Sequence, residues 1–308
     1  MSGISLLTPT YHRDYSHFCM LRESLEAAGC DWPHWVVVQT EDLPLFRRRD
    51  WGCQVTLIST ADVLPAAVEA ARRRVAGYPY RWAKLRRSLN KRFGLFADAL
   101  RDGWNVQQLI KLEMSSRADA DVWVTLDSDV VVCGRLRPEQ FRRQDQVALH
   151  AISARESHAY NGAYNREARR LLGLEPIAAE NDYVAHPFSF SPTVTRALLA
   201  RLEQRGGKPW QDVLGEGLQP NVLSEFALYG IFAQEVWGMR GLYPLPANHH
   251  TRWIHKSNRY DQQRGAAAEK IIRDSFADPA VDYLVVQSAH SFPLDPLLPC
   301  LREQLARV

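Results

Sequence analysis

Cysteines are few and scattered in this sequence. Its 308 residues include five cysteines, an odd number, and no two of them form a Cys-x-x-Cys pair. Zinc sites and disulfide frameworks require cysteines at paired spacings, so neither is predicted. We expect reduced core thiols, as in a protein of the cytosol.

Long apolar runs and a strong charge of one sign are also missing. No stretch approaches the ~20 apolar residues that a membrane span requires, and the N-terminus lacks the regions of a signal peptide. The net charge of +3 is too small to predict nucleic acid or another general polyanion as a partner. With 46% hydrophobic residues, the sequence predicts a soluble cytoplasmic protein with a substantial core.

The most informative stretch covers residues 118–134. Its apolar, β-branched segment, Val122 to Leu126, is typical of a buried parallel strand. Asp127 and Asp129 follow, and they point the same way if the chain stays extended. Two such carboxylates repel each other unless a cation lies between them, and Mn²⁺ and Mg²⁺ prefer oxygen ligands. Turns after strands also favour aspartate, so the pair alone leaves a metal site and a simple turn both open.

Other short apolar runs predict further strands of the same sheet. Ile4 to Leu7, His34 to Val38 and Val55 to Ile58 alternate with helical patterns such as Tyr15 to Ala28. This alternation predicts βαβ units and an α/β fold with a mostly parallel sheet. Because ligands bind beyond the carboxyl ends of such strands, the loops that follow them are expected to face a ligand.

Two predicted helices carry polar residues suited to a site. On the helix Val106 to Ser116, Gln108 and Lys111 share a face, and such a lysine neutralises a phosphate, holds a carboxylate or is solvated. Ser224 fits the N-cap of a later helix, so Glu225 lies in its first turn. Glu225 then either complements the helix dipole or presents a carboxylate to a cleft.

The segment 72–101 is strongly basic. Between Arg72 and Arg101 it contains ten Lys or Arg and a single acid. A helix from about Trp82 would place Lys84, Arg87 and Lys91 opposite an apolar stripe. This face is either solvated or in contact with an acidic acceptor or an anionic membrane, at whose inner face the protein would then be peripheral.

Several motifs together resemble the GT-A nucleotide-sugar glycosyltransferases, and within them a little-characterised group of bacterial transferases. The motifs are Gly103-Trp104, residues 107–111, Asp127-Ser128-Asp129, residues 187–191, Trp210 and residues 224–230. The resemblance covers most of residues 4–290. It implies one Rossmann-like domain, with a nucleotide-binding half at about 1–135 and an acceptor-binding half at about 136–308.

The resemblance implies transfer of a sugar from a nucleotide-diphosphate donor, with UDP-sugars favoured, to a hydroxyl acceptor such as a glycan in polysaccharide biosynthesis. Mn²⁺ or Mg²⁺ would stabilise the leaving diphosphate. Asp129 would bind the metal directly, Asp127 would contact ribose or a bound water, and His290 would complete the metal shell. Glu225 would be the base of an inverting enzyme or an acceptor ligand in a retaining one. The residues implied to contact the nucleotide, with Tyr11 stacking on the base, are Thr8, Pro9, Thr10, Tyr11, Gln39, Thr40, Glu41, Gln108, Lys111, Asp127 and Ser128.

Two other functions stay open. An apolar strand before Asp127-x-Asp129 also resembles the first motif of haloacid-dehalogenase-type phosphatases, which use the first aspartate as a nucleophile and require Mg²⁺. That motif usually lies near the chain start and precedes an acidic pair, whereas 126 residues precede it here and we find no such pair. The other alternative is a non-catalytic nucleotide- or sugar-binding protein with the same fold.

Overall fold

The computed structural model describes residues 3–76, 103–134, 136–155, 162–177, 181–215, 222–246, 250–254, 263–287 and 294–307. Two predicted features lie outside these ranges. One is His290, the expected third metal ligand, and the other is most of the basic segment, including Lys84, Arg87 and Lys91. The expectations for both stay predictions.

Strands and helices alternate along the described chain. The strands are β1 (Ile4–Thr10), β2 (His34–Val38), β3 (Val55–Ser59), β4 (Val122–Thr125), β5 (Val130–Val132), β6 (Arg142–Arg143), β7 (Gln146–Ser153), β8 (Asn181–Asp182), β9 (Phe188–Phe190), β10 (Leu242–Pro246), β11 (Thr251–Ile254) and β12 (Tyr283–Val286). The helices are α1 (Tyr15–Ala27), α2 (Leu43–Phe46), α3 (Ala66–Ala76), α4 (Gly103–Ser115), α5 (Gly162–Leu172), α6 (Pro192–Gly206), α7 (Trp210–Gly215), α8 (Glu225–Ile231), α9 (Gln263–Ala277) and α10 (Leu298–Leu305).

The central sheet has five strands in the order β3-β2-β1-β4-β9. The first four are parallel, and β9 joins β4 in antiparallel register, with Phe190 opposite Trp123. The predicted α/β class with a mostly parallel sheet is therefore confirmed. Because the parallel strands end at one edge, that edge gathers the residues that follow β1, β2, β3 and β4.

Strand β1 is longer than the sequence indicated. It runs to Thr10, and each of its residues is buried, so the expectation of a loop at Thr8, Pro9 and Thr10 was wrong. The prediction failed because proline and threonine resemble turn residues, whereas here β2 and β4 flank this strand on both sides.

Two smaller sheets extend the central one, and no local sequence pattern predicts their pairing. Strand β7 pairs with β10 in parallel and with β6 and β8 in antiparallel register. Strand β12 pairs with β11 in parallel and with β5 in antiparallel register. Since β5 follows the aspartates directly, this pairing holds one end of the Asp127–Asp129 segment in place.

A single apolar cluster joins both predicted halves of the chain. It includes Leu6 and Trp123 of the central sheet, Leu228 of α8 and Tyr283 of β12, all buried. A second cluster packs α9 and α10 against β5 and β12, with Ile272 and Leu301 fully buried. Burying a large apolar side chain stabilises the fold by about 1.5–3 kcal/mol, so contacts between the halves contribute strongly to stability.

Helix ends carry residues that are typical of helix termini. Helix α1 is followed by Gly29 in the left-handed conformation, φ +66°, which glycine adopts without strain. Helix α6 starts at Pro192, and Ser224 caps α8 by accepting a hydrogen bond from the Ala227 N–H. The predicted cap at Ser224 is confirmed.

All five cysteines are free; Cys133 and Cys300 are buried, and Cys53 is exposed. In the described parts of the chain, we find no helix with the length and apolar character needed to cross a membrane.

Candidate active site

A buried lysine joins two carboxylates at the carboxyl end of β4. The Nζ atom of Lys111 lies 2.8 Å from Oδ1 of Asp127 and 2.8 Å from Oε1 of Glu225. The side chains of Lys111 and Glu225 are each 2% exposed, whereas that of Asp127 is 30% exposed. Of the three roles considered for Lys111, holding a carboxylate is the one that this geometry shows.

Local sequence explains how these groups meet. Lys111 lies on α4, among apolar neighbours that pack on the central sheet, and its ammonium group lies 4.7 Å from the ring centre of Phe226. The serine cap fixes the start of α8, which places Glu225 in the first turn, directly before Phe226. The aromatic ring and the two carboxylates together stabilise a cation that burial alone would disfavour.

A histidine lies beside the aspartates on the other side. Nε2 of His186 is 3.7 Å from Oδ2 of Asp127, and the charge of Asp129 also acts on this imidazole. The rings of Phe226 and Trp253 meet the imidazole edge-on, at centroid distances of 5.6 and 5.4 Å. These contacts fix the orientation of a histidine that the sequence analysis did not single out.

Charge interactions and burial act in opposite directions in this group. Burial favours the neutral form of each side chain. For Lys111, the two neighbouring carboxylates outweigh burial and raise its pKa. For Asp127, burial raises the pKa and Lys111 lowers it, and the net effect is a lowered pKa. For Glu225 burial prevails and raises the pKa, and burial likewise lowers the pKa of His186. At neutral pH the site therefore holds a lysinium, an ionised Asp127 and a neutral imidazole.

The segment after β4 is a turn, so the assumption of an extended Asp-x-Asp was wrong. The Val130 N–H donates to the Asp127 carbonyl at 3.1 Å, and the hydroxyl of Ser128 donates to Oγ1 of Thr10 at 2.8 Å. Ser128 is therefore directed toward the end of β1. Asp129 is half-buried beside the same edge.

Three residues predicted to bind nucleotide, Thr8, Pro9 and Thr10, are buried in the sheet. Arg22 donates to Nδ1 of His34 at 3.1 Å, which leaves Nε2 as the donor to the Thr8 hydroxyl at 2.9 Å. Thr8 in turn donates to the Leu126 carbonyl at 2.7 Å. In this arrangement Thr8 links β1 to the strand end that carries the aspartates.

The residues after β2 belong to an ion-pair network. The Thr40 hydroxyl donates to Glu69 at 2.9 Å, and Arg72 donates twice to Glu41, at 2.6 and 2.7 Å, and also pairs with Glu69. Although burial acts in the opposite direction, the arginine contacts lower the pKa of Glu69 to about 2. Glu41 is exposed and Thr40 half-buried, so both lie at the sheet edge while they anchor α3.

The remaining predicted contacts surround the lysine and the end of β1. Gln108 is buried, and its Oε1 accepts from the Glu225 N–H at 3.4 Å, so it supports the start of α8. Tyr11 and Gln39 are half-buried beyond the ends of β1 and β2. The edge thus brings together Tyr11, Gln39, Thr40, Glu41, Lys111, Asp127 and Asp129.

Comparison with known proteins identifies the family. Residues 4–303 match the model of a family of unknown function, DUF6492. The chain belongs to this family. No match was found among curated proteins.

Several solved structures are similar to this DUF6492 chain. One is the galactosyltransferase LgtC in complex with donor and acceptor sugar analogues, at 13% identity and a TM-score of 0.46, covering 97% of this chain and 95% of that one. An active-site mutant of LgtC is 14% identical, with the same TM-score and coverage. The apo form of mouse xyloside xylosyltransferase 1 is 9% identical, with a TM-score of 0.45, covering 94% of this chain and 99% of that one.

The donor atoms at the site suit a hard cation. In the described part of the DUF6492 chain, no three His, Cys, Asp or Glu side chains form a group able to hold a metal ion. Mg²⁺ and chemically similar ions commonly bind through one or two carboxylates and complete their shell with water and substrate phosphates. Asp129 and Oδ2 of Asp127 fit that pattern, because Lys111 contacts only Oδ1 of Asp127.

His186 is the functional candidate that sequence reasoning missed. The signal available was a histidine next to Pro187, two residues before β9, the strand that pairs with β4. Strand pairing places it beside Asp127, and no local pattern in the sequence predicts that partner.

A second, separate cleft lies away from this site. It has a volume of about 400 Å³ and is lined by Val122, Arg142 and Arg240, at the opposite end of β4 from the aspartates.

Proposed function

We propose that this DUF6492 protein is a metal-dependent glycosyltransferase that transfers a sugar from a nucleotide-diphosphate donor, with UDP-sugars favoured, to a hydroxyl acceptor such as a glycan. The observation that carries the proposal is the buried Lys111, which holds Asp127 and Glu225 together next to Asp129. This cluster lies at the carboxyl end of the central parallel strand, where α/β sheets bind ligands. It combines fixed positive and negative charge at the position where a diphosphate and its cation would bind.

In the proposed reaction, the bond between the anomeric carbon and the diphosphate oxygen breaks, and a bond to the acceptor oxygen forms. The acceptor hydroxyl loses its proton to a base, and the nucleoside diphosphate leaves. Asp129, with Asp127, would hold Mn²⁺ or Mg²⁺, which supplies Lewis-acid stabilisation of the leaving diphosphate. The family resemblance and the oxygen donors of the two aspartates support this assignment.

Lys111 has two roles in this proposal. It keeps Asp127 ionised and fixed in orientation, since its ammonium group lowers the pKa of that carboxylate. It also offsets the negative charge of the cluster, which reduces its repulsion of an anionic donor.

Glu225 remains our candidate base. Burial raises its pKa, and a general base works best when its pKa approaches the operating pH. Its carboxylate is also paired with Lys111 and 2% exposed, so in the resting arrangement it positions the lysine. As a base it would accept the proton of an acceptor bound at the floor of the site.

A thermal-shift screen with UDP, GDP and their sugars, with and without Mn²⁺, tests the proposal. A ligand that binds only the native state raises the melting temperature by mass action. We expect a shift with one nucleotide family that requires the metal, and its base would identify the donor.

The same screen tests the two alternatives. A shift with Mg²⁺ and a phosphate mimic, but with no nucleotide, would replace the transferase with a phosphatase. A metal-independent nucleotide shift without sugar transfer or donor hydrolysis would indicate a binding protein.

A further inference from the structure

His186 also lines a cleft that the proposed function has not used. This cleft, here called the His186 cleft, has a volume of about 230 Å³ and lies among β6, β7, β11 and β12. Its polar lining includes Arg137, Glu139, Gln140, Arg143, His150, His186 and Tyr283. The volume is below the ~300–1,000 Å³ of pockets for drug-sized ligands, so it suits a small ligand such as one saccharide ring.

The imidazole of His186 carries an unused hydrogen-bonding atom. Its Nδ1 is buried and has no hydrogen-bond partner among the described residues, and the residue is 9% exposed. Thr251 donates to the His186 carbonyl at 2.8 Å, and the aromatic contacts of the ring restrict its rotation. A buried polar atom without a partner destabilises the fold, and a bound ligand would supply that partner.

Most other polar groups of the cleft already have partners. The Tyr283 hydroxyl donates to Gln140, Gln140 donates to Asp282, and Nε2 of His150 lies 3.1 Å from the Ser189 hydroxyl. These bonds keep the lining rigid. They also leave His186 as the buried group whose hydrogen bonding is incomplete.

Arg143 supplies a fixed cation at the cleft. Its guanidinium lies 4.7 Å from the ring centre of Tyr243, which restricts its orientation. It is exposed, and no described carboxylate pairs with it, whereas Arg137 lies 3.4 Å from Asp282. A carboxylate or phosphate on a ligand would be a suitable partner for such a guanidinium.

We propose that the His186 cleft binds the acceptor of the proposed transferase, a saccharide whose ring carries a carboxylate or a phosphate. The identification of this saccharide as the acceptor rests on the proposed function, but the binding of an anionic saccharide can be tested separately. His186 forms a wall shared by the cleft and the carboxylates, because its Nε2 lies 3.7 Å from Asp127. A saccharide hydroxyl bonded to Nδ1 would therefore be held beside the group that binds the donor, and Arg143 would select for the anionic substituent.

Saturation-transfer NMR on the full chain, without nucleotide or metal, measures this binding. The probes are glucose, glucuronate, glucose 6-phosphate and inorganic phosphate. We expect glucuronate or glucose 6-phosphate to bind more tightly than glucose, and the better of the two identifies the anionic group. Equal binding of glucose, no binding of any sugar, or displacement of both charged sugars by an equal concentration of inorganic phosphate would overturn the proposal.

Matched variants locate the binding. Arg143→Ala should weaken the charged sugar about tenfold, as expected for one lost charge-assisted hydrogen bond. Arg240→Ala is the control, because Arg240 also stacks on an aromatic ring, Trp237, at 4.4 Å, but lines the other cleft. Similar effects of both substitutions, or no effect of either, would contradict the assignment.

The two nitrogens of His186 are separated by amide substitutions. In His186→Asn the amide nitrogen takes the approximate place of Nδ1, and in His186→Gln that of Nε2. We expect Asn to retain saccharide binding and Gln to weaken it, with circular dichroism confirming that both variants fold. The reverse order would overturn the role of Nδ1, and if both variants unfold, Arg143→Ala still decides. If no nucleotide shifts the melting temperature but the saccharide still binds, the proposed transferase function is refuted and saccharide binding at the His186 cleft stands.

Discussion

Lys111 and Glu225 face each other in the core, with 2.8 Å between Nζ and Oε1, and each side chain is 2% exposed. Charges are rarely buried without a partner, because each must lose its water. The pair joins α4 to α8, and a third group, Asp127, connects both to the sheet. Stability and the proposed chemistry therefore depend on the same contacts.

Replacing the buried cation should destabilise the protein strongly. Lys111→Met leaves the buried Glu225 and the half-buried Asp127 without their counter-charge, and breaking a buried pair in this way costs about 3–5 kcal/mol. Urea denaturation at pH 7 measures the change. Lys270→Met is the control, since Lys270 forms an exposed pair with Asp274 and should cost about 0.5 kcal/mol or less. A similar small cost for Lys111→Met would show that the pair contributes little.

The close approach of α8 to Tyr183 predicts a second stability effect. A Cβ atom at Gly230 would lie 2.1 Å from Cδ1 of the Tyr183 ring. We expect Gly230→Ala to lower the free energy of unfolding by about 1–3 kcal/mol through overpacking. At Gly103, also helical, a Cβ would meet no atom of the described residues within 4 Å, so Gly103→Ala should be neutral or stabilising. Equal effects at both sites would rule out the steric explanation.

A buried histidine predicts how stability varies with pH. Burial lowers the pKa of His150 to about 4, from an ordinary value of 6.5. Between these values the unfolded chain binds a proton that the folded chain does not, so stability falls as the pH drops from about 6.5 to about 4. The slope from this one group is at most about 1.4 kcal/mol per pH unit.

His150→Gln should reduce this slope, and urea denaturation of both proteins at a series of pH values measures it. At pH 8, where neither form of residue 150 is charged, the difference between the two proteins reports the changed packing and the changed hydrogen bond to Ser189. A slope that is the same in both proteins below pH 6.5 would contradict the assigned shift.

Metal-dependent donor binding should require Asp129. We expect Asp129→Ala to abolish the Mn²⁺-dependent thermal shift with the nucleotide, because the variant lacks the proposed direct ligand. Asp145→Ala controls for lost surface charge, since the Asp145 side chain is fully exposed. An unchanged shift and unchanged turnover in Asp129→Ala would remove the metal assignment.

The two roles of Glu225 can be separated by kinetics. If it is the base, Glu225→Gln should reduce turnover by about 10²-fold or more and leave donor affinity unchanged, which is the outcome we expect. Glu235→Gln serves as the control, because Glu235 likewise forms an ion pair, in its case with Arg169. Loss of donor affinity in Glu225→Gln would limit this residue to holding Lys111.

Local patterns predicted most of the architecture. The apolar run at His34–Val38 matched β2 residue for residue, the run at Val55–Ile58 matched β3 except for its last residue, and the cap at Ser224 located α8. These features depend on neighbours in sequence. The pairing of β5 with β12 depends on distant segments, so it could not be derived from hydrophobic periodicity alone.

The candidate site was predictable only in part, for the same reason. Asp127, Lys111 and Glu225 were identified because each lies at a recognisable strand end or helix position. That one lysine binds both carboxylates follows from how α4 and α8 pack on the sheet, and no spacing encodes it. Thr8 shows the converse error: its position suggested a ligand contact, yet its hydroxyl links β1 to Leu126.

The two-residue strand β6 has a further consequence for how this protein tolerates change. Arg142 and Arg143 are adjacent, but Arg142 lines the larger cleft and Arg143 the His186 cleft, since successive side chains of a strand point to opposite faces. A one-residue insertion or deletion that shifts the register of this strand would exchange the two arginines between the clefts. A sequence alignment that places a gap in this segment would then assign each arginine to the wrong cleft, although each cleft would still contain one arginine.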